Sequence, residues 1–360
     1  MTAPRVSVVI PVKNRGDLLA RCIDTLIAQT ERNWEAIVVD DGSAGDDLKA
    51  IRAATARDSR IRFLSRPDGK HPGACACRNV GLGESRAALV MFLDADDALD
   101  PRCLEERAAC LEHHSLLDFG IFPCRVFRHS PGDDSRMQNA PLSGDPLLRF
   151  LRMDVPWQTG SPLWRREFLE RMGPWDESLP SAQDWEFHVR ALTRRPKYSY
   201  FRCGACYWRL PYGDTIGSAS LSEPHVAAQD IMYRGTLTLL NDTGLLSAEC
   251  KAAMGGLFLR SAFRRLQLGD RGGASGSWRA ALELGLANPE QHRLGETVLS
   301  TARVPVVGHA ARALAKRLWP RGLYPEASKT FLKSYPASWD DPSGHVLDLP
   351  KADRDSLHLT

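Results

Sequence analysis

Three carboxylates follow a short apolar run near the end of the first hundred residues. The segment Val90–Pro101, VMFLDADDALDP, places Asp94, Asp96 and Asp97 directly after four apolar residues, with Asp100 close behind. Acids this close together repel one another, so the spacing indicates that a positively charged partner binds there. A solvated turn or the start of a helix is the alternative, because Asp also caps helices.

The segments around these acids alternate between strand and helix patterns. The β-branched run VSVVIPV predicts a buried parallel strand over residues 6–12, and WEAIVVDDGS predicts a second strand. GDLLARCIDTLIAQT predicts an amphipathic helix between them, with Asp17 as its cap. DDLKAIRAATARD, IRFLSR and residues 76–85 predict the next helix, strand and helix. The resulting β-α-β-α-β-α-β order predicts an α/β fold with an open, mostly parallel sheet and helices on both faces.

The polar residues at the strand ends are expected to lie together. The first strand leads into Lys13-Asn14, the second into Asp40-Asp41-Gly42-Ser43 and the fourth into Asp94-Ala95-Asp96-Asp97. In open parallel sheets, ligands bind beyond the carboxyl ends of the strands. A receiver domain of a phosphorelay gathers acids in the same way, so this convergence alone leaves the function open.

Composition narrows the class of protein. The 360 residues are 43% hydrophobic and 25% charged, as in soluble globular proteins, and a net charge of +3 does not indicate nucleic acid as a partner. The apolar run RVSVVIPV is short for a signal peptide, and no stretch has the roughly 18 apolar residues of a membrane span, so we expect a cytoplasmic protein. The nine cysteines lack the repeated spacing of a zinc site, which favours free thiols.

Five segments resemble the family 2 glycosyltransferases in order and spacing: VSVVIPVKN, WEAIVVDDGS, GACACRNVGL, MFLDADD and GPWDESLPSAQDWEFHVRAL. The resemblance covers residues 4–215. It implies a GT-A fold and an inverting enzyme that uses a nucleotide-diphosphate sugar, here expected to be a UDP-sugar. The expected acceptor is a hydroxyl group of a growing glycan or lipid-linked saccharide.

The chemistry of such a donor explains the clustered acids. Negative charge builds on the diphosphate as the glycosyl bond breaks, and carboxylates suit the hard cations, Mg²⁺ or Mn²⁺, that offset it. The resemblance implies that Asp96 binds the metal and that Asp94 faces the ribose or a metal-bound water. Ala95 would also contact the donor, and Asp97 would support either acid from behind.

The resemblance also implies nucleotide contacts at the first two strand ends. Asp41 would accept a hydrogen bond from the nucleobase, for which a uracil-like imide N–H is the natural donor. The alternative is that Asp41 only belongs to a turn. Pro11, Val12 and Asn14 would form the floor under the base. Lys13 stands where relatives commonly have an aromatic residue, which leaves the choice of nucleobase open.

Two arginines are further candidates for binding the donor. Arg78 follows GACAC near the expected start of a helix and would reach the base or a phosphate, with a surface arginine as the alternative. Arg209, in YWRLPYGDTIGSAS, would neutralise a phosphate where many relatives carry a histidine or another basic residue. Residues 213–217 would act as a lid.

The segment SAQDWEFHVRAL matches the part of the family that carries the catalytic base. Asp184 occupies the base position, and Gln183 replaces the glutamate that often precedes it. The alternative role for Asp184 is a helix N-cap. Glu186 is a poorer candidate, Trp185 is expected to be a core aromatic residue or a wall of the acceptor pocket, and His188 is expected to be a packed or surface histidine.

Two other functions compete with this interpretation. A nucleotidyltransferase also combines a metal with paired acids, but PVKNRGDLL has a single glycine where such an enzyme needs a glycine-rich loop for its triphosphate. A non-catalytic nucleotide-sugar-binding protein would make Asp184 dispensable.

The sequence beyond Pro224 predicts a helical extension. Between Lys251 and Arg321 it has 12 Lys and Arg against 4 Asp and Glu. Such basic helices could contact an anionic membrane peripherally at its inner face, although a helical cap with a solvated basic face is favoured. No motif for nucleic acid accompanies them. The predicted boundaries are 1–224 for the catalytic domain, 225–320 for the extension and 321–360 for an irregular tail. The helices predicted in the extension cover residues 229–244, 250–270, 274–289 and 307–320.

Overall fold

The structure is a computed structural model that describes residues 3–138, 144–210 and 221–301, together with the backbone of residues 333–334. Its main sheet has seven strands in the order β10-β6-β9-β4-β1-β2-β3. The strands are β1 (Val6–Val12), β2 (Trp34–Asp40), β3 (Ile61–Ser65), β4 (Leu89–Phe92), β6 (Phe119–Ile121), β9 (Pro162–Arg165) and β10 (Tyr198–Tyr200).

Parallel pairing in the main sheet brings the polar strand ends together. β1 lies between β2 and β4 and is parallel to both, with Val12 opposite Asp40 and Val9 opposite Phe92. β9 is antiparallel to its two neighbours, so the sheet is mixed but mostly parallel. The predicted order and direction of the first four strands are confirmed.

A second, smaller sheet was not predicted from the sequence. It has the order β12-β8-β7-β11-β5 and consists of β5 (Ala98–Leu99), β7 (Cys124–Phe127), β8 (Arg136–Met137), β11 (Cys206–Arg209) and β12 (Lys333–Ser334). β5 begins one residue after Asp97 and pairs with β11, so this sheet brings the end of β11 to the acids. β12 lies in the tail predicted to be irregular, and the rest of that tail is outside the described residues.

The helices pack on both faces of the main sheet, as predicted. In β1, Val9 faces one hydrophobic core and its neighbours Val8 and Ile10 face another. The helices are α1 (Gly16–Ile27), α2 (Gly45–Thr55), α3 (Ala74–Glu84), α4 (Cys103–His113), α5 (Pro146–Leu151), α6 (Arg166–Met172), α7 (Gln183–Thr193), α8 (Glu223–Asp242), α9 (Ala248–Gln267), α10 (Arg271–Glu283) and α11 (Pro289–Thr301).

One predicted helix cap is wrong, and one helix was not predicted. Asp17 is not the cap of α1, because Arg15 is the N-cap residue and Asp17 lies within the first turn. The backbone N–H of Gly16 instead donates to Asp47 at 2.9 Å, a contact from α2. α11 was not predicted, while the helix predicted over 307–320 lies outside the described residues.

The C-terminal helices share a core with the part of the chain that is predicted to be the catalytic domain. Leu257 and Phe258 of α9 are buried in the same cluster as Trp157, Trp164 and Trp185. The apolar face of α9 therefore packs against protein. Within the described residues, no helix is long and apolar enough to cross a membrane. Cytoplasmic location and peripheral membrane contact stay predictions.

Candidate active site

The strand ends and the start of α7 line a single cleft with a volume of about 970 Å³. The residues predicted to contact the donor, to bind the metal or to act as the base all line this cleft. These residues are Pro11, Val12, Asn14, Asp41, Arg78, Asp94, Ala95, Asp96, Asp184 and Arg209. The fold thus brings together residues that are up to two hundred positions apart in the chain.

The clustered acids already have cationic neighbours. Arg78 Nη2 donates to Asp94 Oδ1 at 2.7 Å, and Arg15 forms an ion pair with Asp96. Asp97 does not line the cleft: its Oδ1 accepts from the backbone N–H of Arg209 at 2.9 Å. Its Oδ2 is buried and has no hydrogen-bond partner among the described residues.

Two of these acids have perturbed pKa values. Burial, followed by repulsion from Asp94, raises the pKa of Asp96. Burial and then the charges of Asp96 and Asp94 raise the pKa of Asp97 well above its ordinary value. A cation that binds between Asp94 and Asp96 would relieve the part of these shifts that comes from repulsion between carboxylates.

The donor set fits a hard divalent cation bound together with a diphosphate. The described residues contain no preformed group of three or more His, Cys, Asp or Glu that could hold a metal. Mg²⁺ in nucleotide enzymes, however, is bound through one or two carboxylates plus phosphates of the substrate. Asp94 and Asp96 are two carboxylates of this kind at the cleft surface, where their side chains are 35% and 24% exposed.

Arg209 is held at the edge of the acids by the small sheet. Its Nε donates to the backbone oxygen of Asp96 at 3.0 Å and one Nη donates to the backbone oxygen of Arg128 at 2.6 Å. The guanidinium also stacks 4.4 Å from the centre of the Phe127 ring. Arg209 is thus fixed beside the acids. The lid predicted over residues 213–217 lies outside the described residues.

Asp40 and Asp41 have different environments. The carboxylate of Asp40 accepts from the backbone N–H groups of Gly42 and Ser43, which makes it part of a turn. Asp41 faces the cleft, where its Oδ1 accepts from Arg66 Nε at 2.7 Å and from the backbone N–H of Gly73 at 3.0 Å. The predicted turn therefore forms through Asp40, which leaves Asp41 on the cleft.

Two basic side chains flank Asp41. Lys13 Nζ lies 3.5 Å from its Oδ2. Arg66 was not identified from the sequence, because its pairing with Asp41 depends on β2 and β3 lying side by side. Asn14 joins the two strand ends: it has a positive φ of 46°, and its backbone N–H donates to Ser43 Oγ at 2.8 Å.

Arg78 is buried, so the alternative of a surface arginine is wrong. It is 6% exposed and lies in the first turns of α3. Besides contacting Asp94, it donates to Gln183 Oε1 at 3.3 Å and stacks 4.6 Å from the centre of the Trp175 ring. Arg78 therefore connects the acids after β4 with the residue that precedes Asp184.

Asp184 lies in the first turn of α7 and is not its N-cap. The N-cap residue is Ala182, which has a left-handed conformation with φ of 57°. Asp184 Oδ1 accepts from the backbone N–H of Trp185 at 2.9 Å, and burial raises its pKa. Glu186 pairs with Arg190 at 2.7 Å and does not line the cleft, as expected of the poorer candidate.

Two neighbours of Asp184 belong to the core. Trp185 is buried and its indole N–H donates to the backbone oxygen of Phe150 at 2.7 Å, so it is the core aromatic residue of the two alternatives. His188 stacks on Trp164, and burial followed by the charge of Arg78 lowers its pKa to about 3. His188 is therefore a neutral, packed histidine.

One wall of the cleft, formed by the C-terminal helices, was not predicted from the sequence. Gln229 of α8 and Arg260 and Arg264 of α9 line it, although the basic face of α9 was expected to be solvated or to meet a membrane. Gln229 Nε2 donates to Ser181 Oγ at 3.2 Å, and Arg264 Nη1 donates to Gln229 Oε1 at 3.1 Å. The number of charged residues shows that a helix is basic, but it does not show which part of the protein its basic face contacts.

Residues 7–170 match the family model described as glycosyl transferase family 2. Residues 7–170 therefore form a family 2 glycosyltransferase domain. This family decides between the enzyme classes considered from the sequence in favour of glycosyl transfer over nucleotidyl transfer.

Similarity to curated relatives is moderate. The family 2 enzyme is 24% identical over 266 residues to the uncharacterized glycosyltransferase EpsJ of Bacillus subtilis, a match that covers 69% of this chain and 73% of the relative. It is 27% identical over 231 residues to the succinoglycan biosynthesis protein ExoU of Rhizobium meliloti, covering 61% and 64% of the two chains. It spans 16% to 18% of the length of three Rickettsia glycosyltransferases.

A solved structure shares the fold. Residues 1–349 of S. aureus TarS, crystallised in complex with UDP-GlcNAc, superpose with a TM-score of 0.60 at 19% identity. The match covers 87% of this chain and 90% of that chain. The family 2 enzyme therefore has the GT-A fold that the sequence predicted.

Proposed function

We propose that the cleft transfers a sugar from a UDP-sugar to a hydroxyl group of a glycan or lipid-linked saccharide, with inversion at the anomeric carbon. The observation that carries this proposal is that Asp41, the Asp94-Ala95-Asp96 segment and Asp184 line one cleft. One protein of similar fold and one relative support the choice of substrates: TarS was crystallised with UDP-GlcNAc, and ExoU is named for succinoglycan biosynthesis.

Asp41 would recognise the nucleobase through the oxygen that faces Lys13. Its Oδ1 is occupied by Arg66 and by the backbone of Gly73. Oδ2 is the oxygen left to accept from the imide N–H of uracil, with Lys13 Nζ 3.5 Å away. A guanine offers an N–H at a different position on a larger ring, which is why we favour UDP.

A bound Mg²⁺ or Mn²⁺, held by Asp96 and Asp94, would offset the charge that builds on the leaving diphosphate. Arg15 and Arg78 hold these carboxylates in place. Arg209 presents a further positive charge beside Asp96, so the chain itself adds fixed cations around the diphosphate.

Asp184 would take the proton of the acceptor hydroxyl as that oxygen attacks the anomeric carbon. The raised pKa of its carboxyl makes Asp184 a stronger base than an exposed aspartate. Its position in the first turn of α7 fixes the carboxylate, because Trp185 N–H binds one oxygen and leaves the other for the proton.

The donor site is tested by calorimetric titration with UDP, GDP and CDP, with and without Mn²⁺. We expect metal-dependent binding of UDP that is lost in Asp96→Ala. Asp100→Ala is the matched control, because Asp100 follows the same acidic segment but does not line the cleft. Binding of none of the three nucleotides would contradict the donor assignment.

The base is tested with Asp184→Asn. We expect turnover to fall by about 10²- to 10⁴-fold while UDP affinity is unchanged, because the amide cannot accept the proton. Glu186→Gln, two residues away on α7 and off the cleft, should retain activity. Unchanged turnover in Asp184→Asn would favour the alternative of a nucleotide-sugar-binding protein that does not use this carboxylate.

A further inference from the structure

Two cysteines from distant parts of the chain bring their sulfur atoms together. Cys110 lies near the end of α4, and Cys203 lies in the loop between β10 and β11, 93 positions later in the chain. Their Sγ atoms are 3.4 Å apart, a distance at which one thiol donates a hydrogen bond to the other. The sulfur atoms of a disulfide bond are about 2.05 Å apart, so these two need to approach by only about 1.4 Å.

This pair is more accessible than the other thiols of the protein. All nine cysteines lie within the described residues. Cys110 and Cys203 are partly exposed, whereas the other seven are buried. Because the oxidation of a thiol depends on its exposure, buried cysteines are inert. An oxidant in solution therefore reaches these two sulfur atoms first.

The loop that carries Cys203 is held on α4 by its backbone. The backbone N–H of Gly204 donates to Glu106 Oε2 at 2.6 Å, and the backbone oxygen of Gly204 accepts from Arg107 Nε at 2.7 Å. Gly204 has a φ of 65°, and a Cβ there would lie 2.7 Å from Arg107 Cγ, so the loop approaches the helix closely. Cys110 lies one turn after these two residues of α4. The fold therefore holds both thiols in place before any bond forms between them.

The hydrogen bond between the two thiols makes their acidities unequal. Donation from Cys110 lowers the pKa of Cys203. The same hydrogen bond, followed by burial, raises the pKa of Cys110. The thiolate is the nucleophile in thiol–disulfide exchange. Cys203 is therefore the thiol that attacks first, and Cys110 is placed to attack second.

We propose that Cys110 and Cys203 form a disulfide bond on exposure to a low-molecular-weight disulfide such as oxidised glutathione, and that this bond fastens the loop before β11 to α4. The Cys203 thiolate attacks one sulfur of the oxidant, which gives a mixed disulfide and releases one thiolate. Cys110 loses its proton and attacks Cys203 Sγ, which forms the protein disulfide and releases the second thiolate. Two protein thiols are thus oxidised, and one disulfide of the oxidant is reduced to two thiols. This reaction is independent of the proposed glycosyl transfer.

The bond should stabilise the folded protein. It joins residues that are 93 positions apart, and a cross-link over a long segment removes much of the conformational freedom of the unfolded chain. The native backbone is already ordered where the bond forms, because Gly204 is bound to α4. We therefore expect the Tm of the oxidised protein to exceed that of the reduced protein by about 4 °C.

The first experiment measures the bond in the full chain. Reduced protein is incubated with oxidised glutathione under native conditions, the remaining thiols are alkylated in urea, and the tryptic peptides are analysed by mass spectrometry. We expect two of the nine thiols to be protected from alkylation and residues 108–125 to be linked to residues 203–209. Thermal unfolding of the oxidised and reduced samples then gives the difference in Tm.

The second experiment identifies the sulfur atoms. Variants are needed because each linked peptide has a second cysteine, Cys124 or Cys206, and these two lie opposite each other on β7 and β11. Cys110→Ser should abolish the link and leave Cys203 as a mixed disulfide with glutathione. The matched control, Cys124→Ser, should retain both the link and the rise in Tm. Circular dichroism reports whether each variant is folded, and Cys110→Ala replaces a serine variant that fails to fold.

Three outcomes would overturn the disulfide. One is that oxidised glutathione protects no thiol pair in the native wild-type protein. Another is that the link persists in Cys110→Ser and is lost in Cys124→Ser, which would assign the bond to Cys124 and Cys206. The third is an unchanged Tm in fully oxidised wild-type protein, which would show that the bond does not fasten the loop to α4.

Discussion

Asp184 is a carboxylate whose protonation is set by its surroundings in the first turn of α7. Burial raises its pKa above the ordinary aspartate value of about 3.9. A base works only when deprotonated, so kcat/KM should fall as the pH drops through this raised pKa. The measurement is the pH profile of UDP release from UDP-sugars, with saccharide or water as acceptor. The residual activity of Asp184→Asn should lack this fall in kcat/KM at low pH. If the fall is unchanged in that variant, it comes from the protonation of another group.

His188 gives a prediction for stability. Its pKa is about 3 in the folded protein, well below the unfolded value of about 6.5. Below pH 6.5, His188 therefore binds a proton in the unfolded chain but not in the folded chain. The contribution of the neutral ring to the free energy of unfolding is fully present above pH 6.5 and is lost as the pH falls towards 3. Between pH 7 and pH 5 this amounts to about 2 kcal/mol of unfolding free energy. Urea unfolding at the two pH values measures this. Between pH 7 and pH 5, the free energy of unfolding should fall by about 2 kcal/mol less in His188→Phe than in the wild type.

An exposed histidine provides the control for this measurement. His71→Gln, at an exposed position, should leave the pH dependence of the unfolding free energy as in the wild type. An identical pH dependence in wild type and His188→Phe would mean that the acid sensitivity comes from other groups.

The residues that the sequence revealed are those in contiguous motifs. Asp94, Asp96 and Asp184 stand within segments whose order and spacing match a family, and all three line the cleft. Arg15 and Arg66 were missed because each is recognised only by its carboxylate partner, 81 and 25 positions away. A single arginine has no local sequence pattern. The ion pairs of Arg15 and Arg66 could therefore be identified only from the positions of the strands in the structure.

At the scale of elements, α3 is positioned by a close approach to β1. A Cβ at Gly81 would lie 2.4 Å from Val9 Cγ1, so the helix packs against the strand at a distance that only glycine allows. This contact supports Arg78, which lies one turn earlier on the same helix. Because Gly81 has no side chain, α3 can pack closely against β1. This close packing stabilises the core and also positions Arg78 at the cleft.

The prediction at this scale compares two glycines of α3. Gly81→Ala should lower the free energy of unfolding by about 1–3 kcal/mol, because overpacking outweighs the gain in helix propensity. Gly83→Ala should be neutral or raise it by up to about 1 kcal/mol, since nothing lies within 4 Å of its Cβ position. Urea unfolding measures both variants. Equal effects of the two substitutions would show that α3 can shift away from β1 without cost.

Elements with strong periodicity could be predicted from the sequence. β1 and β2 are β-branched and fully buried, and they were predicted within a residue or two of their observed bounds. The strands of the small sheet are two to four residues long, too short for a period to show. α11 was missed because its sequence, PEQHRLGETVLST, contains a glycine and few apolar residues to define a face.

At the scale of the whole molecule, the C-terminal helices form part of the same packed body as the residues that line the cleft. Phe258 of α9 contacts Tyr233 of α8 at 6.0 Å between ring centres, and Tyr233 contacts Trp185 of α7 at 5.7 Å. Trp185 directly follows Asp184. A chain of buried aromatic rings therefore connects the extension to the turn that carries the proposed base.

This packing predicts how the chain unfolds. Phe258→Ala should cost about 3–5 kcal/mol and lower the Tm by roughly 5 °C, because it leaves a cavity in the shared core. Since the core includes residues from both parts of the chain, tryptophan fluorescence and circular dichroism should report one transition that shifts as a whole. Ile231→Ala, at a position 72% exposed on α8, should change stability by no more than about 0.5 kcal/mol. Two separate transitions, of which Phe258→Ala shifts only one, would instead support residues 225–320 as an independently folding domain.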